Sequence, residues 1–273
     1  MGRYTLDPAM PVLLRPDGAV QVGWDPRRAV LVRPPAGLTP GALADLLRTL
    51  QAGATLPELQ ARFEVDAGEL VESLTQAGVV TVAVRARTRC ASIRIHGRGP
   101  LSDVLANALR CSGARVTRST VTQAPPPATT DLVVLSDFLV TEPRIVRDLH
   151  SAGVAHLPVR LRDGAGLVGP LVIPGVTSCL DCADLHRSDR DAAWPAVASQ
   201  LRNAVGNADR ATVLATAALA LNQIDRVIRA VGSDPNVETS TEPPPTLDTT
   251  LEFDVNAGAI MARRWSRHPR CWC

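Results

Sequence analysis

The segment Asp131-Leu-Val-Val-Leu-Ser136 says most about the fold of this chain. Its four apolar residues follow one another without a polar interruption, which is typical of a strand buried on both faces of a parallel sheet. Other predicted strands (92–96, 116–121 and 156–161) alternate with predicted helices (101–112 and 142–151). Parallel strands need crossover connections, which helices supply, so the sequence predicts an α/β domain.

A long helix and a pair of strands are predicted after this alternating region. Residues 207–230 carry an apolar stripe at helical spacing: Leu214, Ala217, Leu221, Ile224 and Ile228. Residues 249–255 and 259–265 read as two strands joined by a turn at Asn256-Ala-Gly258. The α/β domain is therefore predicted to extend over residues 90–273, and the stripe serves either its own core or a dimer contact.

The first 85 residues are predicted to form a separate small domain. Short strands are predicted at 12–14, 20–22 and 29–32, between Pro-Asp-Gly and Asp-Pro turns. Three helical patterns follow, the last at 68–76 with Asp66 as its predicted N-cap, and an apolar run at 79–84 closes the series. This order of elements is that of a winged-helix-like domain, and residues 85–89 are predicted to be a charged linker.

The acidic side chains of this small domain indicate which class of partner it binds. The helix in the recognition position carries Asp66, Glu69 and Glu72 and no basic residue, so it would repel nucleic-acid phosphates. A peptide or a small protein is the partner that this surface favours. A purely structural appendage and a winged-helix DNA-binding regulator remain the alternatives.

The composition is that of a globular protein without a membrane span. The chain has 273 residues, a net charge of +2 and 45% hydrophobic residues, with no apolar run long enough to cross a bilayer. No secretory signal is recognisable, so a cytoplasmic location is predicted. All 29 basic residues are arginine. Chemistry that needs a lysine amine is therefore excluded unless arginine replaces it.

Four of the six cysteines form two closely spaced pairs, Cys179-Leu-Asp-Cys182 and Cys271-Trp-Cys273. Clustered cysteines in a cytosolic protein indicate a metal more often than disulfides, and four thiolates suit structural zinc. The sequence therefore predicts a Zn²⁺ that ties the end of the chain to the middle of the domain. Four thiolates saturate the ion, so it would contribute folding energy and would not activate water.

Other interpretations of these cysteines stay open. A redox dithiol, a disulfide or four unrelated thiols are the alternatives to zinc. A redox C-x-x-C motif normally opens a helix after a strand, and the sequence shows no clear strand-to-helix setting at Cys179. His268 lies close to the second pair as a fifth candidate ligand that four thiolates would not need. The remaining histidines are expected to be surface residues or to have satisfied hydrogen bonds, and Cys111 is expected to be buried. The run 189–191 is expected to be a salt-bridged or solvated helix start, with contact to a partner as the alternative.

The order of these features resembles the E1-like superfamily of ThiF, MoeB and HesA, over residues 90–273. The resemblance rests on the glycine turn at 97–99, the strand that ends before Asp137, the stretch Gly169-Pro-Leu-Val-Ile-Pro-Gly-Val-Thr-Ser-Cys-Leu-Asp-Cys182 and the terminal cysteine pair. Residues 189–195 and His268-Pro269 narrow it to actinobacterial E1-like proteins that bind leader peptides in azole-forming peptide modification. It implies a Rossmann-like E1 fold, a homodimer and a YcaO-type partner enzyme.

The resemblance also implies an ATP site, and most of its residues do not match here. Gly97 and Gly99 correspond to the first two glycines, but Ser102 stands in place of the third. No acidic residue follows the second strand at 122–123 to hold ribose, and the phosphate-binding lysine is missing. Asp137 is the one polar residue of the site that still corresponds, to the aspartate near Mg²⁺, and a cap of the following turn is the alternative role for it. The sequence thus predicts a degenerate nucleotide site and a non-catalytic protein that binds a peptide or small protein for a partner ATP-dependent enzyme. The alternative is an adenylyltransferase in which arginine replaces the lysine.

Overall fold

The computed structural model describes residues 2–83, 89–120, 129–232 and 243–273. These residues belong to two compact units, the first ending before residue 89 and the second beginning there. Predictions that fall on the segments 84–88, 121–128 and 233–242, including the linker and residues 122–123, lie outside the described residues. In the described parts, no helix is long and apolar enough to cross a membrane.

The first unit contains two small sheets and three helices. Its elements are β1 (Arg3–Leu6), β2 (Val12–Leu14), β3 (Val20–Val22), β4 (Val30–Val32), α1 (Pro40–Gln51), α2 (Leu56–Phe63), α3 (Gly68–Gln76) and β5 (Val80–Ala83). β2, β3 and β4 form an antiparallel sheet in chain order, and β1 pairs with β5. β1 was not predicted, because its pairing partner lies more than seventy residues away.

Local sequence signals set the ends of the helices in this unit. Thr39 caps α1, and Thr55 forms a capping box with Glu58 at the start of α2. The prediction that Asp66 is the N-cap of α3 was wrong by one residue. Ala67 holds that position, while the Asp66 carboxylate accepts a hydrogen bond from the Gly68 N–H at 2.9 Å.

The second unit is built on a seven-stranded sheet. Its strands are β6 (Ser92–His96), β7 (Arg115–Ser119), β8 (Leu132–Ser136), β9 (Ala155–Arg162), β10 (Ala165–Val168), β11 (Thr249–Asp254) and β12 (Ala259–Arg264). The sheet order is β12-β11-β10-β9-β8-β6-β7, with parallel pairing from β7 to β9 and antiparallel pairing from β9 to β12. The predicted α/β class is confirmed.

Helices cover both faces of this sheet. They are α4 (Pro100–Leu109), α5 (Pro143–Ser151), α6 (Leu180–Arg190), α7 (Trp194–Leu201) and α8 (Arg210–Gly232). β8 is buried throughout: Leu132 and Val134 belong to the core beneath α4 and α8, while Val133 and Leu135 belong to the core beneath α5 and α6. This two-sided burial explains why the strand has no polar alternation.

The long helix α8 uses its apolar stripe mainly inside the unit. Ala217, Ile224 and Ile228 are buried in the core beneath α4 and α8, whereas Leu214 is half exposed. Asp209 provides the cap, because its carboxylate accepts hydrogen bonds from the Thr212 N–H and hydroxyl at 2.9 Å. The prediction that Cys111 is buried was wrong, since α4 ends at Leu109 and the Cys111 side chain is exposed.

A buried histidine makes this unit sensitive to acid. His156 in β9 is fully buried, and burial lowers its pKa from 6.5 to about 4. Its Nδ1 hydrogen-bonds the Val154 carbonyl at 3.0 Å, whereas Nε2 has no partner among the described residues. The ring is therefore neutral in the folded chain at neutral pH.

We expect the free energy of unfolding to fall by about 3 kcal/mol as the pH drops from about 6.5 to 4 through this group alone. In that window the unfolded chain binds a proton at residue 156 and the folded chain does not. Denaturant unfolding of the wild type and of His156→Leu across this range measures the difference. A variant with the same slope as the wild type would show that His156 is not responsible.

Candidate functional site

Four cysteine sulfurs from two distant parts of the second unit meet at one point. Cys179 is the N-cap of α6 and Cys182 lies in its first turn, while Cys271 and Cys273 are in the chain end that follows β12. Cys179 and Cys182 are buried, and the other two are partly exposed. All four sulfurs lie within 4.8 Å of one another.

The sulfur geometry fits a tetrahedral metal ion. The Sγ atoms of Cys179 and Cys182 are 3.8 Å apart, those of Cys179 and Cys271 3.5 Å, and those of Cys182 and Cys273 3.4 Å. A Zn–S bond of about 2.3 Å places the corners of a tetrahedron about 3.8 Å apart. These distances match that spacing and exceed the ~2.05 Å of a disulfide. The cluster is therefore able to hold a metal ion and is compatible with Zn²⁺.

Peptide N–H groups point at the sulfurs, as expected around thiolates. The Cys182 N–H donates to the Cys179 sulfur at 3.4 Å, and the His268 N–H donates to the Cys182 sulfur at 3.3 Å. Burial raises the pKa of the Cys179 thiol. Burial also acts on Cys182, but the His268 N–H and the neighbouring groups outweigh it and lower the pKa of that thiol. A divalent cation would compensate the charge of several thiolates so close together.

The His268 side chain connects α6 to the segment that follows β12, residues 265–273, which is called the terminal loop below. Its ring is buried, with Nε2 at 2.8 Å from an Asp189 carboxylate oxygen and Nδ1 accepting the Arg270 N–H at 3.1 Å. Arg270 pairs with the other oxygen of Asp189. Both ring nitrogens are thus occupied, which leaves neither for a metal. Asp189 is at the end of α6 and ties that helix to the terminal loop.

The first cysteine pair has a helical setting that was not clear from the sequence. The C-x-x-C segment does open a helix, so that criterion does not exclude a redox dithiol. What argues for a metal instead is the second pair. A two-cysteine redox centre gives no reason for Cys271 and Cys273 to complete a four-sulfur cluster.

The glycine turn before α4 holds a carboxylate from within the chain. Asp137 follows β8 and is almost fully buried, and its two oxygens accept the Leu101 N–H at 2.9 Å and the Ser102 N–H at 3.2 Å. The Ser102 hydroxyl also donates to Asp137. The N-terminus of α4 is the natural position for a bound phosphate, because its N–H groups and dipole favour an anion. Asp137 occupies this position itself.

Close packing accounts for both glycines of the turn. A Cβ at Gly99 would lie 2.7 Å from an Asp137 carboxylate oxygen, and one at Gly97 would collide with the backbone and side chain of Ser136. Gly99 therefore packs against Asp137, and Gly97 packs against Ser136.

An open cavity remains beyond the carboxyl ends of β6 and β8. It has a volume of about 570 Å³, and its lining includes His96, Ser136, Phe138, Arg144 and Arg202. Ligands of open α/β sheets bind in a crevice at this end of the strands. Burial is the main cause that lowers the pKa of His96, whose Nδ1 lies 3.0 Å from the Ser119 hydroxyl. The cavity leaves room for a ligand, although the α4 N-terminus is already occupied.

Neither family models nor curated proteins match this sequence. Solved structures do match by fold. One described as a heterocyclase in complex with substrate and cofactor aligns with a TM-score of 0.65 at 17% identity, and the heterocyclase TruD with a TM-score of 0.69 at 17% identity. MccB of E. coli, solved with ATP, aligns with a TM-score of 0.59 at 12% identity.

The extent of the match differs between these neighbours. The alignment covers 100% of this chain in both heterocyclases but only 39% and 42% of their own chains. With MccB it covers 99% of both chains. The chain thus has the fold of MccB and of somewhat less than half of a heterocyclase. The predicted resemblance is confirmed as a likeness of fold to the heterocyclase TruD and to MccB.

Proposed function

We propose that this protein is a zinc-containing, non-catalytic member of the Rossmann-like E1 fold that binds a peptide or small protein. It presents that substrate to a separate ATP-dependent modifying enzyme of the YcaO type. The observation that carries the proposal is Asp137, whose carboxylate accepts the α4 N–H groups that a nucleotide phosphate would need. The absence of lysine from the sequence points the same way.

The structural neighbours support a role in peptide modification. One heterocyclase was solved with substrate and cofactor, and MccB was solved with MccA as well as with ATP. More than half of each heterocyclase chain has no counterpart in these 273 residues. We infer that a partner enzyme supplies the chemistry of that remainder. A cytoplasmic location fits this role.

The first unit is the proposed peptide-binding domain, of the winged-helix-like type. β4 lies at one edge of its sheet, with Leu31 58% exposed, and Trp24 precedes it at 83% exposure. An exposed strand edge takes up an extended peptide through main-chain hydrogen bonds, and nearby apolar side chains add contact area. Glu69 and Glu72 on α3 are exposed, which disfavours the alternative of a DNA-binding regulator.

Leu31→Asp is expected to weaken binding of a peptide at least about tenfold, because it places a charge on the apolar surface beside β4. The probe is a fluorescein-labelled peptide selected on the full chain from a random display library, and fluorescence anisotropy gives its affinity. Leu14→Asp is the matched control, since Leu14 is 55% exposed on β2 at the opposite edge. If selected peptides bind Leu31→Asp as tightly as the wild type, the β4 edge is not the site.

An adenylyltransferase is the second candidate, because the cavity that contains Arg144 and Arg202 lies where a nucleotide would bind. We expect no calorimetric signal when zinc-loaded protein is titrated with ATP and Mg²⁺ to millimolar concentration. Micromolar binding would contradict the non-catalytic proposal and make the adenylyltransferase the leading function.

A homodimer is expected from the resemblance. α8 keeps most of its stripe in the core of its own unit, so its contribution to a dimer would be limited to exposed positions such as Leu214. Light scattering at micromolar protein concentration is expected to give twice the chain mass of 29.0 kDa. A monomeric mass would contradict this expectation.

A further inference from the structure

A second cavity of the second unit lies between the sheet and helices α5, α6 and α7. Its volume is about 290 Å³, near the lower end of the ~300–1,000 Å³ typical of ligand pockets. Most of its wall is apolar, from Leu139, Val146, Leu167, Leu180 and Leu201. It shares no lining residue with the cavity at the carboxyl ends of β6 and β8 except Thr141.

One cationic side chain in this wall, that of Arg160, makes no ion pair with any residue that the structure describes. Arg160 of β9 donates from Nη1 to the Leu139 carbonyl at 2.7 Å. Its side chain is half-buried, and its Nε atom is buried and has no hydrogen-bond partner among the described residues. A guanidinium that is largely removed from water and bonded to a carbonyl has its charge only partly compensated, which is unfavourable without an anion in contact.

The other charged groups of the cavity are already engaged or face solvent. Arg162 pairs with Glu252 at 2.8 Å. Arg187 pairs with Asp184 at 2.7 Å and lies over the rings of Trp194 and Trp265, at 5.2 and 5.0 Å from their centroids. The same Asp184 oxygen also accepts the Trp194 indole N–H at 3.2 Å. The remaining carboxylates of the wall, Asp163 and Asp181, are exposed.

The electrostatic field at Arg160 favours an anion. Burial is the main cause that lowers the pKa of Arg160 to about 10. The charges of Arg187 and Arg162 lower this pKa further, whereas the charge of Asp184 raises it. The surroundings thus disfavour the positive charge of Arg160, and a carboxylate at the guanidinium would relieve that cost.

We propose that this cavity binds a small carboxylate with an apolar body, whose acid group pairs with Arg160 and whose body packs against Leu139, Val146 and Leu180. An arginine fork binds a planar carboxylate well, and the apolar wall matches a branched aliphatic group. The site is in the second unit and does not depend on the function proposed for the first. Its ligand is either a free acid or the C-terminal carboxylate of a peptide.

Ligand-observed NMR and thermal-shift measurements on the full-length protein test this site. The probes are 4-methylpentanoate as a free acid, N-acetyl-leucine as a model of a peptide C-terminus, and N-acetyl-leucine amide as the neutral analogue. We expect one of the two carboxylates to bind and thereby to identify the source, and the amide to bind at least tenfold more weakly. Equal binding of amide and acid, or no binding of either acid, overturns the proposal.

Two arginine variants assign the effect to the proposed residue. Arg160→Gln is expected to lose binding at least tenfold, while Arg110→Gln is unchanged, because Arg110 is exposed at the end of α4. Without ligand, Arg160→Gln should fold as well as the wild type or better, since it removes a half-buried charge that no described carboxylate contacts. Undiminished carboxylate binding by folded Arg160→Gln would place the ligand elsewhere.

Discussion

Cys182→Ser is expected to lower zinc content from one ion per chain to a small fraction and to destabilise the second unit by on the order of 5 kcal/mol. Cys182 lies in the first turn of α6 and is fully buried, and its sulfur is in the cluster with those of Cys179 and Cys273. A serine oxygen is a poor zinc ligand, so the terminal loop would lose its attachment to α6. The melting temperature is expected to fall by roughly 10–20 °C.

The matched control is Cys111→Ser, which makes the same chemical change at an exposed cysteine outside the cluster. It should keep both the metal and the melting temperature. Metal analysis by mass spectrometry after gentle purification, together with calorimetric melting, gives both quantities. Well under one zinc per wild-type chain, or equal melting temperatures for the two variants, would contradict a structural zinc site.

Asp137→Leu is expected to cost about 4 kcal/mol of unfolding free energy, because it leaves two buried N–H groups without acceptors. These groups belong to Leu101 and Ser102 in the first turn of α4, and the Ser102 hydroxyl loses the same partner. Loss of the negative charge at the N-terminus of the helix adds to the effect. Chemical denaturation followed by circular dichroism measures the change.

Asp137→Asn helps to distinguish a role of Asp137 as the cap of α4 from a role as a Mg²⁺ ligand. The amide oxygen still accepts one of the two hydrogen bonds, so roughly half of the destabilisation is expected. If the role of Asp137 were to hold Mg²⁺ beside a bound nucleotide, the protein without nucleotide would fold equally well when this residue is replaced. A change below about 1 kcal/mol for Asp137→Leu would therefore favour the nucleotide-site interpretation of this residue.

The secondary structure could be read from the sequence wherever one local signal dominated. The apolar run of β8 and the helical spacing of the apolar residues in α1 are signals of this kind. β10, α6 and α7 were not predicted: β10 has only four residues and α6 is largely polar. The positions of β10 and α6 depend on the pairing of β10 with β9 and on the contacts of α6 with the terminal loop.

The cysteine cluster could be predicted because both halves are chelating pairs, each visible within a few residues of sequence. Its support could not be predicted in the same way. Asp189 and His268 are seventy-nine positions apart, and nothing local indicates that the carboxylate at the end of α6 orients the ring near the chain end. The same limitation applies to Arg160, because residues of α6 and α7 that line its cavity are distant from it in sequence.

The sequence by itself determined the α/β class, the pairing of cysteines into a candidate metal site and the absence of a lysine for nucleotide chemistry. These properties depend on residue type and on spacing within one element, and both can be read directly from the sequence. Only the tertiary structure decided what Asp137 does. The carboxylate that corresponds to a nucleotide-site residue is the same one that contacts α4. The folded chain places it against the Leu101 and Ser102 N–H groups, thirty-five or more residues away. Hydrogen bonds between residues so distant in sequence are fixed by packing, for which the sequence carries no local signal.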